Sequence, residues 1–243
     1  MARRLFFVPE IRRGTAELTG AEAEHLTRVL RAEAGQVYEI SNNQRKYLAR
    51  IETARKSSVV FRVLEELPPP RERSRVWLYP ALFKFDRFEW MVEKATELGV
   101  DTIACFEAVR SERGLAQAAQ KRTVRWARVA QEASEQSRRV TLPQIAKPGS
   151  FDQILRTEID VKLLLDEEPD GPSLLAVVNE CWPERASSQQ IGILLGPEGG
   201  WTEGERAQAV EAGWQRCSLG EMVLRAETAA IAALSAVNVL WQR

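Results

Sequence analysis

Between Ile191 and Thr228 the chain reads IGILLGPEGGWTEGERAQAVEAGWQRCSLGEMVLRAET, and this stretch narrows the folds open to everything else. The run Ile191–Leu195 is apolar without alternation, the pattern of a strand covered on both faces, as in a parallel sheet. It stops at Gly196, Pro197, Glu198, Gly199 and Gly200, a loop whose glycines let a ligand approach bare backbone. Thr202 followed by Glu205 predicts a capping box and a helix just after the loop, with Gly213 at its C-terminal cap. A second strand, Trp214–Leu219, runs into the loop Gly220–Leu224. A final helix then buries Ala226, Ala230, Ala233, Val237 and Leu240 on one face. Two glycine-bearing loops at the carboxyl ends of neighbouring strands are where open α/β sheets bind ligands, although two well-made turns would leave the same pattern.

Upstream, Leu5–Val8, Val37–Ser41, Tyr47–Thr53 and Val59–Leu64 read as short strands spaced as in a small β-barrel. One helix, Ala21–Ala32, is expected to bury Leu26, Val29 and Leu30 while showing Arg28 and Arg31. His25, the sole histidine, has no serine or cysteine motif to serve and reads as a partly buried packing or capping residue. The segment LPPPRERSR, Leu67–Arg75, is a semi-rigid linker by composition and marks a boundary between residues 1–70 and 71–243. Beyond it a strand (Val76–Phe83), a helix (Asp86–Leu98, ended by Gly99) and a strand (Val100–Phe106) make a βαβ unit. A long helix over Leu115–Arg139 carries Trp126 and Val129 on its apolar side and Lys121, Arg122, Arg125 and Arg128 on a basic one. Phe151–Arg156 is a short helix, Val161–Leu165 a buried strand ending at Asp166, Glu167 and Glu168, and Gly171–Trp182 a further helix.

Several functions are excluded. No GxGxxG follows a strand and no GxxxxGK(S/T) is present, so neither a dinucleotide site nor a P-loop is encoded. One histidine, far from the glycine loops, argues against a Ser-His-Asp hydrolase. Cys105, Cys181 and Cys217 are odd in number and lack partnering histidines, which predicts reduced thiols, no disulfide framework and no metal site. No apolar run spans a bilayer, and the start MARRLFFVPE is too short in its apolar part for a secretion signal; a cytoplasmic protein without a membrane partner is expected. The net charge is zero, from 34 basic and 34 acidic residues, but they are not mixed evenly. Residues 1–75 carry 15 Lys/Arg against 10 Asp/Glu, and residues 151–243 carry 7 against 15. A basic N-terminal side suits a phosphate-bearing partner; a solvated surface is the plain alternative.

GPEGGW followed by SLGEMVLRAETA resembles the signature of the bacterial 16S ribosomal RNA uridine-N3 methyltransferases. FEWMVEKATELGV, SER at 111–113, EASEQSRR, and RLFF with HLTRVLR near the N-terminus extend the resemblance over nearly the whole chain. It implies a PUA-like RNA-binding β-barrel followed by a knotted SPOUT α/β domain with a mainly parallel sheet. It also implies S-adenosylmethionine as cofactor, a homodimer, and N3 of a uridine in the decoding region of 16S RNA, on naked RNA or the 30S subunit, as substrate. Leu165, Leu195, Gly196, Gly199, Gly200, Leu219, Gly220, Met222 and Leu224 would hold the cofactor, with the loop after Leu165 as a third wall. Arg28, Arg31, Arg113 and Arg139 would meet RNA. Uracil N3 is a poor nucleophile until its proton leaves; Arg225, at the start of the last helix, could stabilise the resulting charge, and Glu198 or Glu227 could take the proton. Equally, Arg225 and Glu227 could simply pair, and Lys94 with Glu97 is either a functional pair or a surface ion pair. The chain departs from the family at Asn42–Gln44, where a glycine-rich turn is usual, at Gly114, and at Arg138, where glycine is common. A ribose 2′-O-methyltransferase of the same class and a noncatalytic RNA-binding assembly factor are the rival readings.

Overall fold

The computed structural model describes residues 4–168, 171–183 and 188–241. They form two compact units, one running to Arg71 and taking in Gln131–Leu142, the other holding Glu72–Ala130 and the chain from Pro143 onward. The break between Arg71 and Glu72 falls within the proline linker, and the end of a long helix with the residues after it is counted with the first unit.

The first unit contains β1 (Leu5–Phe7), β2 (Thr15–Thr19), α1 (Gly20–Glu24), β3 (Val37–Ser41), β4 (Lys46–Arg55) and β5 (Ser58–Glu66). They make a five-stranded sheet in the order β1-β3-β4-β5-β2, antiparallel except for the β1–β3 pair. The sheet is a half-barrel, since β1 and β2 stand at its two edges unpaired with each other. Phe6, Leu18, Leu26, Ile40, Ile51 and Phe61 fill its core. The expected helix is real only as far as Glu24; His25–Val29 form a π turn in which the Leu30 N–H donates to the His25 carbonyl at 3.2 Å. A π turn holds more than 3.6 residues and rotates the side chains after it about the axis. Leu26 stays buried, but Val29 is 64% exposed rather than buried, and His25 is exposed rather than packed.

The second unit comprises β6 (Arg75–Pro80), α2 (Phe85–Glu97), β7 (Thr102–Ile103), β8 (Phe106–Glu107), most of α3 (Leu115–Ser137), β9 (Gln144–Ile145), β10 (Gly149–Ser150), α4 (Phe151–Leu155), β11 (Val161–Leu165), α5 (Leu174–Cys181), β12 (Gln190–Leu195), α6 (Glu203–Glu211), β13 (Gln215–Cys217) and α7 (Ala226–Trp241). The main sheet runs β13-β11-β12-β6-β7-β9 and every pair in it is parallel; β8 and β10 pair separately. One face is covered by α2, α7 and Trp126 of α3 around Leu78, Leu163 and Ile193. The other packs Tyr79, Leu164 and Leu194 against Trp201 and Trp214. Both faces of β12 are covered, which is why Ile191–Leu195 could afford no polar residue. No helix of the described residues is long and apolar enough to cross a membrane.

β12 and β13 are not neighbours, as the two-loop reading supposed: β11 lies between them. The order also fixes a switch point. From β6 the chain leads outward to β7, whereas β12 leads the other way to β13, and such reversals leave a crevice at the carboxyl ends of the strands.

Candidate functional site: a cavity at the carboxyl ends of four parallel strands

A cavity of about 590 Å³ opens at that edge. Its walls are the segments after β11, β12 and β13 together with the start of α2, which follows β6. All nine residues expected to hold a cofactor line it: Leu165, Leu195, Gly196, Gly199, Gly200, Leu219, Gly220, Met222 and Leu224. The segment after β11 is indeed a wall, contributed by Leu165, Asp166 and Glu167.

Two glycines of the loop after β12 are required, Gly196 by the ring packed against it and Gly200 by its backbone angle. A Cβ on Gly196 would come within 2.9 Å of the Trp201 indole, which donates to the Leu165 carbonyl at 2.8 Å and so ties this loop to the end of β11. Gly200 has φ +71°, and a Cβ there would collide with the Glu167 carboxylate. Beyond the loop the predicted capping box is present: the Thr202 hydroxyl accepts from the Glu205 N–H at 3.2 Å, and the Glu205 carboxylate accepts from the Thr202 N–H at 3.0 Å. The same carboxylate accepts from the Val109 N–H, and Arg110 donates to the carbonyls of Gly199 and Trp201. The glycine loop is thus held from outside as well as by its own turn.

Asp166 carries the wall after β11. Its side chain is wholly buried; it accepts from Arg206 Nε on α6 at 2.8 Å and from Arg216 Nε on β13 at 2.7 Å. Glu168 completes the cluster, 2.9 Å from Arg206 and 3.0 Å from Arg216. Burial by itself would push the Asp166 carboxyl up, but the hydrogen bonds from Arg206 and Arg216 outweigh it and hold it below the usual carboxylate range. Charged residues from three segments are therefore locked into one ion cluster at the cavity's edge.

The expected catalytic residues divide. Arg225 lines the cavity, is exposed, and makes no ion pair among the described residues, so it is not tied to Glu227. Glu198 also lines it, ion-paired with Arg87. Glu227 is not on the wall: it is 7% exposed, in the first turn of α7, and its nearest cation is Arg87 with Nε at 3.9 Å. Lys84 and Arg87, at the start of α2, line the cavity and were not anticipated.

The remaining expectations fall away from the cavity. Arg113 is exposed and lies off its wall. In the first unit Arg28 pairs with Glu24 at 2.6 Å, Arg31 is exposed with φ +52°, and Arg139 donates to the Thr141 carbonyl. Lys94 is clasped by Glu93 at 2.7 Å and Glu97 at 2.9 Å and is off the wall, a surface ion pair. Part of the basic face of α3 is also structural, because Arg122 and Arg125 both reach Glu89 on α2. The three cysteines are free, and burial pushes the thiols of Cys105 and Cys217 up to about 12, far from thiolate chemistry at neutral pH.

Comparison with known proteins agrees with this geometry. The profile of an RNA methyltransferase domain matches residues 70–238, and that of an RNA methyltransferase PUA domain matches residues 18–64. The chain is 32% identical to ribosomal RNA small subunit methyltransferase E of Bacillus subtilis, over 92% of this chain and 90% of that one. It is 35% identical to the protein of the same name from Synechocystis, over 99% and 78%. A crystal structure of ribosomal RNA small subunit methyltransferase E from Neisseria gonorrhoeae, bound to S-adenosyl methionine, superposes with a TM-score of 0.87 at 29% identity, covering 99% of this chain and 98% of that one. A half-barrel matched as a PUA domain, a parallel sheet matched as an RNA methyltransferase domain and identity above 30% across most of the length together make this chain a member of the ribosomal RNA small subunit methyltransferase E family.

Proposed function

We propose that this protein methylates N3 of a uridine in the decoding region of 16S ribosomal RNA, using S-adenosylmethionine held in the cavity described above. One observation carries the reading: glycine-lined loops and an unpaired guanidinium, Arg225, meet at the carboxyl ends of parallel strands in a cavity of about 590 Å³, a volume suited to a small-molecule cofactor. The residues fit that cofactor. Backbone at Gly196–Gly200 and Leu219–Leu224 is free of bulky side chains on the glycines, and the Glu167 carboxylate on the wall suits a cationic ligand.

When bound, S-adenosylmethionine supplies a methyl group already activated on a sulfonium, so the protein has only to align the acceptor and free its lone pair. Arg225, preceding the first turn of α7, supplies a guanidinium and lies next to the positive end of the helix for negative charge on the uracil carbonyl oxygens. Glu198 is the wall carboxylate that accepts the N3 proton. The base has to be unpaired or flipped to present N3. Arg28, Arg31, Arg113 and Arg139 bind RNA phosphates. The protein works as a homodimer in the cytoplasm on the 30S subunit; support for self-association is the exposure of Trp90 on α2 and Val239 on α7, two helices that pack together, and of Met222 and Val223 beside the cavity. Within this same reading the α/β domain is knotted, which rests on the family resemblance.

The test is methyl transfer to unmodified 30S subunits and naked 16S RNA, read by nucleoside mass spectrometry. N3-methyluridine is expected. A 2′-O-methylated product would keep the family and overturn the acceptor; no product and no cofactor binding would leave an assembly factor. Arg225→Ala is expected to lower turnover by roughly 10²-fold or more with cofactor affinity kept, as for loss of a group acting on the transition state.

A further inference from the structure

Arg87 has no assigned role, yet it stands between the two carboxylates that the chemistry invokes. It lies in the first turn of α2, one turn from Lys84, and both face the cavity. Its Nη1 donates to Glu198 on the loop after β12, and its Nε lies 3.9 Å from Oε1 of Glu227 on α7. The three side chains come from three separate elements. Glu227 is buried, its Oε2 has no hydrogen-bond partner, and it makes no other ion pair among the described residues. A guanidinium addresses two carboxylates through different edges of one rigid plane and so fixes their relative placement, whereas an ammonium can pair with two but is a rotating point charge.

We propose that Arg87 is a positioning residue for methyl transfer: anchored on buried Glu227, it holds the Glu198 carboxylate at the place where the uracil N3 proton is delivered. The proposal rests on the N3-methylation reading. Glu227 thereby acts from behind the cavity wall rather than on it, which accounts for a buried acid in the first turn of α7 that does not line the cavity. Arg225, by contrast, is left free for the substrate.

The experiment is a double-mutant cycle on 30S subunits, with kcat, KM for the subunit, calorimetric cofactor affinity and the thermal midpoint of the free protein measured for each variant. Arg87→Ala is expected to lower kcat about 10- to 100-fold while KM and cofactor affinity stay within about threefold. Arg87→Lys is expected to recover about tenfold of that loss, because a point charge can still hold Glu198. Glu198→Gln with Arg87→Ala is expected to be no slower than Glu198→Gln alone. Should Arg87→Ala melt too low to assay, adding Glu227→Gln removes the orphaned buried charge and restores a measurable protein. Undiminished turnover of Arg87→Ala, rates that multiply in the double variant, or an effect confined to KM or to cofactor affinity would overturn the proposal. A wild-type protein that makes no N3-methyluridine would instead remove the reading beneath it.

Discussion

Two shielded carboxylates, one in each unit, have been driven in opposite directions. Asp166, at the cavity's edge, is held below the usual range because Arg206 and Arg216 donate to it despite full burial. Glu135, on the end of α3 in the first unit, is pushed up from 4.5 to about 7. Burial is the largest cause; the Gln131 amide, which donates to both Glu135 and Glu22, and the Phe7 N–H lower it, while Glu22 and Glu132 raise it. Burial is common to both sites, so the difference lies in the partners. Cations from neighbouring segments keep Asp166 charged, whereas an amide between two acids leaves Glu135 inclined to hold its proton. The cavity wall is built on a fixed charge, and the first unit tolerates a titrating one.

The largest expected effect comes from breaking the fixed charge. Asp166→Asn keeps one oxygen for the two Nε donors but removes the charge between two guanidiniums and turns an NH2 toward Arg206 Nη2, and loss of one member of a buried cluster costs on the order of 3 kcal/mol. Because the cluster joins α6, β13 and the wall after β11, cofactor affinity should fall at least tenfold along with the melting temperature; calorimetry and thermal melts check both. A group whose carboxyl is depressed on folding contributes above its unfolded value and loses that contribution as pH falls through the folded one. Wild-type stability from this cluster is therefore present at neutral pH and declines only below about 4, and Asp166→Asn should flatten that acid limb.

Glu135 sharpens the contrast with the opposite sign. Its raised value means a contribution fully present below about 4.5 and lost as pH rises through about 7. Glu135→Gln should accordingly stabilise the protein at pH 8 by roughly 1 kcal/mol, after discounting for partial exposure, and leave it nearly unchanged at pH 5. Thermal melts from pH 5 to 8 are the measurement; a variant melting no higher than wild type at pH 8 would show that Glu135 is charged there without cost.

Much of the cavity was legible because its signals are local. Thr202 and Glu205 cap α6 as their spacing requires, Gly213 takes φ +86° just beyond that helix, and the residues expected to hold a cofactor between Leu195 and Leu224 all reach the wall. What stayed hidden depends on which strands lie side by side. Nothing in Val161–Leu165 says that β11 lies between β12 and β13, and without that order the charges of Asp166, Arg206 and Arg216 read as separate surface residues. Arg87 and Lys84 were hidden for the same reason, since β6 had to be placed beside β12 before the start of α2 could be seen as a wall. The π turn at His25–Val29 leaves no compositional mark, so a regular helical period wrongly buried Val29. A strand at Thr15–Thr19 was missed because TAELT exposes alternate polar residues and carries only two buried side chains.

The smallest expected effect tests whether the first unit can also hold a fixed charge. Arg138 occupies a left-handed backbone position, φ +60°, which explains why glycine suits it, and its guanidinium pairs with the buried Glu39, which Lys46 also approaches at 3.3 Å. Arg138→Gly relieves the backbone but removes one of two cations from Glu39, so its two consequences oppose each other. Arg138→Ala removes the same cation and keeps the strained φ. The alanine variant should be less stable than the glycine variant by about 1 kcal/mol, the cost of a side chain in that region. Both should fall below wild type by denaturant unfolding if the arginine contributes as a partner to Glu39. A glycine variant more stable than wild type would mean that Lys46 alone neutralises Glu39, and that the first unit, unlike the cavity wall, gains nothing from a second cation.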